Sequence, residues 1–170
     1  MTKAYLLGVL HDSTTRKTTY RIASKSLAFC EFLKKGIHTL GSGAWIYKEG
    51  KDRSLWIVEF PQTLLKGVAI KSEQEKTDYI RGYFDAEGGV AKSSKVRYYL
   101  YFCQKDLKDL LQVKGYLEEL GIVCGKLHNP SKRVDPSYWR FFLSVKSYGD
   151  FAKIIGSSHP EKSSYLRMKI

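Results

Sequence analysis

Little in this chain points to the common enzyme, secreted or membrane classes. No stretch of its 170 residues approaches the roughly 18 apolar residues of a membrane span, and no signal-like segment follows Met1. Cysteine is scarce: Cys30, Cys103 and Cys124 each sit in an apolar context without a C-x-x-C spacing, which predicts reduced, buried thiols. These absences predict an intracellular protein, of the cytoplasm, a nucleoid or an organelle matrix, with no membrane partner. The four histidines, His11, His38, His128 and His159, lack metal-ligand spacing, which argues against zinc. Nothing resembles a nucleophile elbow or a phosphate-cradling glycine loop.

Acidic residues are also few. Seventeen Asp and Glu stand against 29 Lys and Arg, a net charge of +12 and a pI near 9.5, which favours a polyanionic partner. Divided at residue 72, the first part carries 12 basic and 5 acidic residues and the second 17 and 12, so both parts can hold phosphate. With 43% hydrophobic and 14% aromatic residues, the chain has the material for one compact core.

Residues 79 to 89, Tyr-Ile-Arg-Gly-Tyr-Phe-Asp-Ala-Glu-Gly-Gly, read as a mostly buried helix. Thr77 is a candidate N-cap with Asp78 in the first turn, and Gly88-Gly89 marks the stop. Asp85 and Glu87 then fall in the last turn, where the free carbonyls form the negative pole of the helix dipole. A hard divalent cation would relieve that conflict, since it accepts carbonyl and carboxylate oxygens together. Solvated acids at a frayed helix end are the alternative.

A second, weaker copy precedes it. Residues 4 to 14 read Ala-Tyr-Leu-Leu-Gly-Val-Leu-His-Asp-Ser-Thr, and placing Gly8 on Gly82 sets Tyr5 on Tyr79. The repeat continues: Lys25 to Gly41 and Lys105 to Gly121 are both intervals of 16 residues, each an amphipathic helix ending in Leu-Gly. An alternating strand precedes each helix, at 17–23 and 97–103. A strand pair follows each, 44–47 with 55–60 and 122–127 with 139–145. Internal duplication therefore organises the chain, with halves at 1–72 and 73–170.

With both motifs on the page, the chain resembles the LAGLIDADG homing endonucleases in their single-chain, two-repeat form. Gly82, Asp85, Glu87 and Gly88 fill the third, sixth, eighth and ninth positions of the family's pattern. The resemblance implies an α+β fold of two pseudo-two-fold-related halves, each running helix, strands, helix, strand pair, helix. Their antiparallel sheets form a saddle that holds DNA. Gly8 and Gly82 would let the two motif helices approach closely, as a residue without a side chain permits. The resemblance gives Glu87 the role of metal-binding acid, for Mg2+ or for Ca2+ or Mn2+ at the same site. It places Gln104 near the attacking water, with Ser24 as its counterpart, and calls for a lysine late in each half, for which Lys66 or Lys71 and Lys162 are candidates. Asp12, Glu87, Gln104 and Lys162 are thus the catalytic candidates, with Asp12 and Glu87 as metal ligands.

The first motif departs from the pattern. Five residues beyond Gly82 lies Glu87, whereas five beyond Gly8 lies Ser13, and the acid Asp12 is four beyond. Gly8 to Lys25 is 17 residues and Gly82 to Lys105 is 23, a deficit of six. Either a shortened turn carries Asp12 to the ligand position, or this half is catalytically dead.

Strand alternation sets Lys17, Thr19 and Arg21 on one face, and Arg97, Tyr99 and Tyr101 likewise, in a manner suited to a ribbon in the major groove. Lys48, Lys51, Arg53, Lys126, Lys132, Arg133 and Arg140 extend the predicted DNA surface, the loop cations contacting phosphate. The function implied is a monomeric, metal-dependent endonuclease that hydrolyses double-stranded DNA at a long, asymmetric target. The alternative is a catalytically impaired DNA-binding or intron RNA-splicing protein on the same fold.

Overall fold

Two helices cross at the centre because each has a glycine where the other's backbone passes. The computed structural model describes residues 1–50, 54–93 and 95–167. Helix α1, Lys3–Val9, is capped by the Thr2 hydroxyl, and helix α3, Glu73–Glu87, packs across it. A Cβ built on Gly8 would lie 2.1 Å from the Tyr79 carbonyl oxygen, and one on Gly82 would lie 2.0 Å from that of Tyr5. No side chain fits at either position.

After α1, a 3-10 turn at Leu10–Asp12 leads into β1, Ser13–Thr15, and β2, Thr19–Ser24. Helix α2, Leu27–Thr39, begins on Ser26, whose hydroxyl accepts from the Phe29 N–H, and β3, Trp45–Lys48, and β4, Trp56–Pro61, follow. The resulting sheet is antiparallel, in the order β1-β2-β4-β3. Beyond α3 come β5, Gly88–Val90, β6, Leu100–Gln104, helix α4, Leu107–Glu119, and β7, Trp139–Phe142, in a second antiparallel sheet ordered β5-β6-β7. Helices α5, Tyr148–Ile154, and α6, Pro160–Arg167, close the chain. Each sheet has its own core beneath it: Ile22, Phe29, Leu33, Val58 and Phe60 with α1 in the first, and Leu100, Phe102, Phe141, Leu110 and Phe151 with α3 in the second. The fold is α+β, with sheets, helices and the repeated order read from the sequence.

Three local readings change. Helix α3 starts five residues ahead of Thr77, on Ser72, where a reciprocal capping box joins the Ser72 side chain to the Glu75 N–H and the Glu75 carboxylate to the Ser72 N–H. Thr77 and Asp78 are buried mid-helix, and Asp78 pairs with Arg81 and accepts from the Thr2 hydroxyl. The last helix of the first half is reduced to a 3-10 turn, Gln62–Leu65. Over 122–127 only the isolated bridge Cys124–Leu143 forms, with a further one at His128–Arg140. Among the described residues, no helix is long and apolar enough to cross a membrane.

Candidate active site at the helix crossing

The two motif helices run out at the same edge, each straight into a strand. Asp12 is the residue before β1 and Glu87 the residue before β5. The six-residue deficit does not have a single cause. Ser13 pairs with Ile22, nine residues on, and Gly88 with Phe102, fourteen on, so five of the missing residues belong to the β1–β2 connection. One alone is missing from the helix end, where the chain winds as a 3-10 turn rather than as α-helix. A 3-10 step rises about 2.0 Å and an α step about 1.5 Å. One α step and three 3-10 steps therefore advance about 7.5 Å beyond Gly8, the same as five α steps beyond Gly82. Ser13 is not the displaced acid's equivalent: its hydroxyl donates back to the Leu10 carbonyl at 2.6 Å and closes the turn.

The charge of Asp12 is felt at Glu87. Burial pushes the Glu87 carboxyl up to about 7, and the negative charge of Asp12 adds to the rise, against the Gln104 hydrogen bond and the Lys162 charge. Asp12 is exposed, yet the desolvating mass around its carboxyl raises it too, opposed by Lys162. The Gln104 amide donates to Glu87 Oε1 and to the His11 carbonyl, both at 3.2 Å, while its own oxygen accepts from the Lys105 N–H. That third bond turns the NH2 group toward Glu87 and the His11 carbonyl. Ser24, its counterpart, merely accepts from the Ser26 N–H.

Lys162 reaches the site from α6, but its ammonium is held by carbonyls: it donates to those of Phe84, Asp85 and Gly88 at 2.7, 2.8 and 2.7 Å. The negative pole of α3 is thus met by a lysine, not left for a metal. Burial lowers the Lys162 pKa to about 8, opposed first by Asp85 and also by Glu87 and Asp12. Lys66 and Lys71 are exposed, after the 3-10 turn of the first half and ahead of the α3 cap. Asp85 is no ligand candidate. It is 2% exposed and closed by the Tyr5 hydroxyl at 2.6 Å, the Ser158 N–H at 2.9 Å and the Ser157 hydroxyl.

Among the described residues no three His, Cys, Asp or Glu side chains converge as a metal cluster. The donors are two carboxylates, one from each motif. Hard oxygen atoms bearing mutually repelling charge suit a divalent cation such as Mg2+, Ca2+ or Mn2+ and not a soft one.

The predicted DNA-contact residues divide by location. Thr19 and Arg21 share the outer face of the first sheet with Tyr47 and Glu59. The Arg21 guanidinium donates to the Tyr47 hydroxyl at 2.9 Å and pairs with Glu49 at 3.3 Å and Glu59 at 3.9 Å. Glu59 also accepts from Thr19 and Tyr47, and these hydrogen bonds keep its carboxyl low despite burial. Arg21 is therefore a neutralised cation, and its partner acids are distant in sequence: Glu59 lies on β4 and Glu49 just beyond β3. Lys48 corrects a further expectation: it shares the parity of Ile46, opposite Tyr47, so strand alternation turns it from the outer face. Lys17 is exposed in the β1–β2 turn. The strand expected over 97–103 begins only at Leu100, so Arg97 and Tyr99 lie ahead of β6; Tyr99 and Tyr101 each pack edge to face on Phe142, and the Arg140 guanidinium lies 4.5 Å over the Tyr101 ring. Arg97, Lys126, Lys132 and Arg133 are exposed around them, while Lys51 and Arg53 lie outside the described residues.

Residues 74–156 match the family described as LAGLIDADG-like domain. A structure of I-DmoI, a homing endonuclease, in complex with DNA and Ca aligns over 98% of this chain and 96% of its own, with a TM-score of 0.70 at 20% identity. A structure with DNA and Mn aligns over 92% and 97%, with a TM-score of 0.67 at 22% identity. Full-length DUF199/WhiA from Thermatoga maritima aligns over 98% of this chain and 59% of its own, with a TM-score of 0.73 at 15% identity. At these identities the likeness establishes the fold. No curated protein matches the chain by sequence.

Proposed function

We propose that this chain, whose residues 74–156 match a LAGLIDADG-like domain and whose fold is that of I-DmoI, is a two-half, site-specific endonuclease hydrolysing double-stranded DNA. The observation that carries the proposal is the pair Asp12 and Glu87: one acid from each half, at matched ends of two helices locked by glycine contact, each raised in pKa, with the Asp12 charge felt at Glu87. Perturbed carboxylates, one of them tied by the Gln104 amide to the backbone of the opposite motif, are what such chemistry requires and what a solvated helix end lacks. The reading is further supported by the DNA, Mn and Ca in the I-DmoI complexes.

Asp12 and Glu87 would hold the cation. When bound, a divalent cation supplies an activated water and neutralises charge developing on the phosphate. The residues of the chain fix the geometry. Gln104 ties Glu87 to the end of the first motif, so neither acid moves independently of the other half. Lys162 stays fixed on its three carbonyls and favours ionisation of both acids. The exposed cations Lys17, Arg97, Lys126, Lys132 and Arg133 contact phosphate, and the face bearing Thr19, Arg21, Tyr99, Tyr101 and Arg140 meets the groove. A monomer suffices, because one chain supplies both halves, and unlike halves read an asymmetric site.

Strand-resolved cleavage of duplexes selected from a randomised library tests this. In Mg2+, Glu87→Gln should abolish cutting of at least one strand, and Asp12→Asn should leave a nicking or inactive enzyme, both binding DNA nearly as the wild type does. Double-strand cutting by both variants at the wild-type rate removes the site assignment. A second reading, nucleic-acid binding without cleavage, is favoured by Ser24 in the place of Gln104 and by the DUF199/WhiA likeness. Steeply salt-dependent binding without Mg2+-dependent cutting would select it.

A further inference from the structure

His11 lies beside the candidate acids with a role that the hydrolytic reading leaves unused. It stands three residues beyond Gly8, as Asp85 stands three beyond Gly82, and the crossing gives both the same partner. The Tyr5 hydroxyl meets Asp85 at 2.6 Å, and the Tyr79 hydroxyl meets His11 Nε2 at 2.5 Å. The far sides differ. Asp85 is closed by Ser157 and Ser158, which anchor the end of α3. His11 instead places Nδ1 3.0 Å from Asp109 Oδ2 in the first turn of α4, with its ring tilted against Tyr83 at 4.6 Å. One tautomer satisfies the whole chain of groups: Tyr79 O–H donates to Nε2, and Nδ1–H donates to the Asp109 carboxylate.

The tether sits where the backbone needs one. A single 3-10 turn has poorer hydrogen-bond geometry than an α-helix, and this one must present Asp12 from a helix only seven residues long. Fixing the ring of His11 at both nitrogens fixes the peptide unit that follows it. The carbonyl of that unit accepts from Gln104, and its next residue is Asp12.

We infer that Asp109, His11 and Tyr79 form a clamp that holds the shortened end of the first motif against the second half and so positions Asp12 opposite Glu87. His11 is here a positioning residue. The inference rests on the endonuclease reading for its activity readout and on the cation-site reading for its binding readout.

Asp109 is the residue to change, because its side chain is partly exposed and the α4 N-cap is Asp106. Full-length wild type, Asp109→Ala and Asp109→Asn are titrated with calcium alone by calorimetry and assayed for strand-resolved cleavage in Mg2+. Asp109→Ala should weaken calcium binding about tenfold. It should also slow, about tenfold at saturating duplex, the strand that Asp12→Asn fails to cut, with the other strand changed less than twofold. Asp109→Asn keeps an acceptor for Nδ1–H and should restore both. Unchanged calcium affinity and strand ratio in Asp109→Ala overturn the clamp, as does equal slowing of both strands with a lowered Tm. Absence of calcium binding by the wild type also overturns it. A wild type that binds calcium but cuts neither strand ends the endonuclease reading, and the calcium comparison between Ala and Asn then decides the clamp by itself.

Discussion

Gly82→Ala is the sharpest test of the architecture, because the added methyl has nowhere to go. Its Cβ would lie 2.0 Å from the Tyr5 carbonyl oxygen, 2.9 Å from the Tyr5 carbonyl carbon and 3.1 Å from the Val9 nitrogen. All three are backbone atoms, so no rotamer change relieves the clash. Ordinary contact is about 3.5 Å, and the helices must therefore separate by more than about 1 Å. Separation on that scale also loosens the tyrosine bonds across the crossing, Tyr5 to Asp85 and Tyr79 to His11.

Overpacking of this kind costs about 1–3 kcal/mol, and each hydrogen bond lost about 1 kcal/mol more. Alanine's helix preference over glycine returns about 1 kcal/mol. A net loss of about 2–4 kcal/mol should lower the urea midpoint by about 1–2 M at a slope of about 2 kcal/mol/M. Gly115→Ala is the matched control: it lies within α4, and its added Cβ meets nothing within 4 Å. That variant should gain about 0.5–1 kcal/mol by propensity alone. Urea unfolding of the three proteins decides the matter. A Gly82→Ala protein as stable as wild type, or shifted in the same direction as Gly115→Ala, would refute the close crossing.

Three further outcomes follow from the electrostatics. The Glu87 carboxyl has a folded pKa near 7, above its ordinary value of 4.5, so the folded state binds the extra proton and wild-type stability falls as pH rises through that window. Glu87→Gln should thus be more stable than wild type by about 1–2 kcal/mol at pH 8, after discounting for solvent screening, and equal to it below about pH 4; urea midpoints with parallel pH profiles would count against it. Arg97→Ala should lower the salt slope of duplex binding by about one unit, the loss of one phosphate contact. Arg21→Ala should weaken binding further, because it removes the cation that faces Glu59 on the proposed DNA face, and Glu59→Gln should restore much of the loss; equal affinities for Arg21→Ala with and without the Glu59 change would sink that account.

The duplication was legible because helices, strands and close glycine contacts each impose a spacing that survives divergence. Gly8 and Gly82 align, and α2 and α4 start two residues after Lys25 and Lys105. The start of α3 was also written in the sequence, as Ser72-x-x-Glu75, but apolar periodicity begins only near Tyr79, so the exposed first turns gave no burial signal. The partners of Arg21 were not legible. Glu59 faces it through a register between β2 and β4, and a register is set by pairing rather than by either strand alone.

The equivalence of the two acids is the deeper case. Counting residues from the glycines sets Ser13 against Glu87 and places His11 against Asp85, so chemical type disagrees at both positions. In space the unit of comparison is advance along the helix, and a turn wound 3-10 covers the same distance with one residue fewer. The interval to the next helix hides this, because it adds one residue lost at the helix end to five lost from a hairpin connection that lies beyond the acids. Only the pairing of Ser13 with Ile22 and of Gly88 with Phe102 separates the two losses. Asp12 and Glu87 are then each the last residue before the first strand, and the His11 side chain takes, on the first helix, the place that Asp85 takes on the second. A homologous half can therefore keep its acid in position while losing its register, provided something ties down the tighter turn; in this chain that tether comes from the other half, through Asp109, Tyr79 and Gln104.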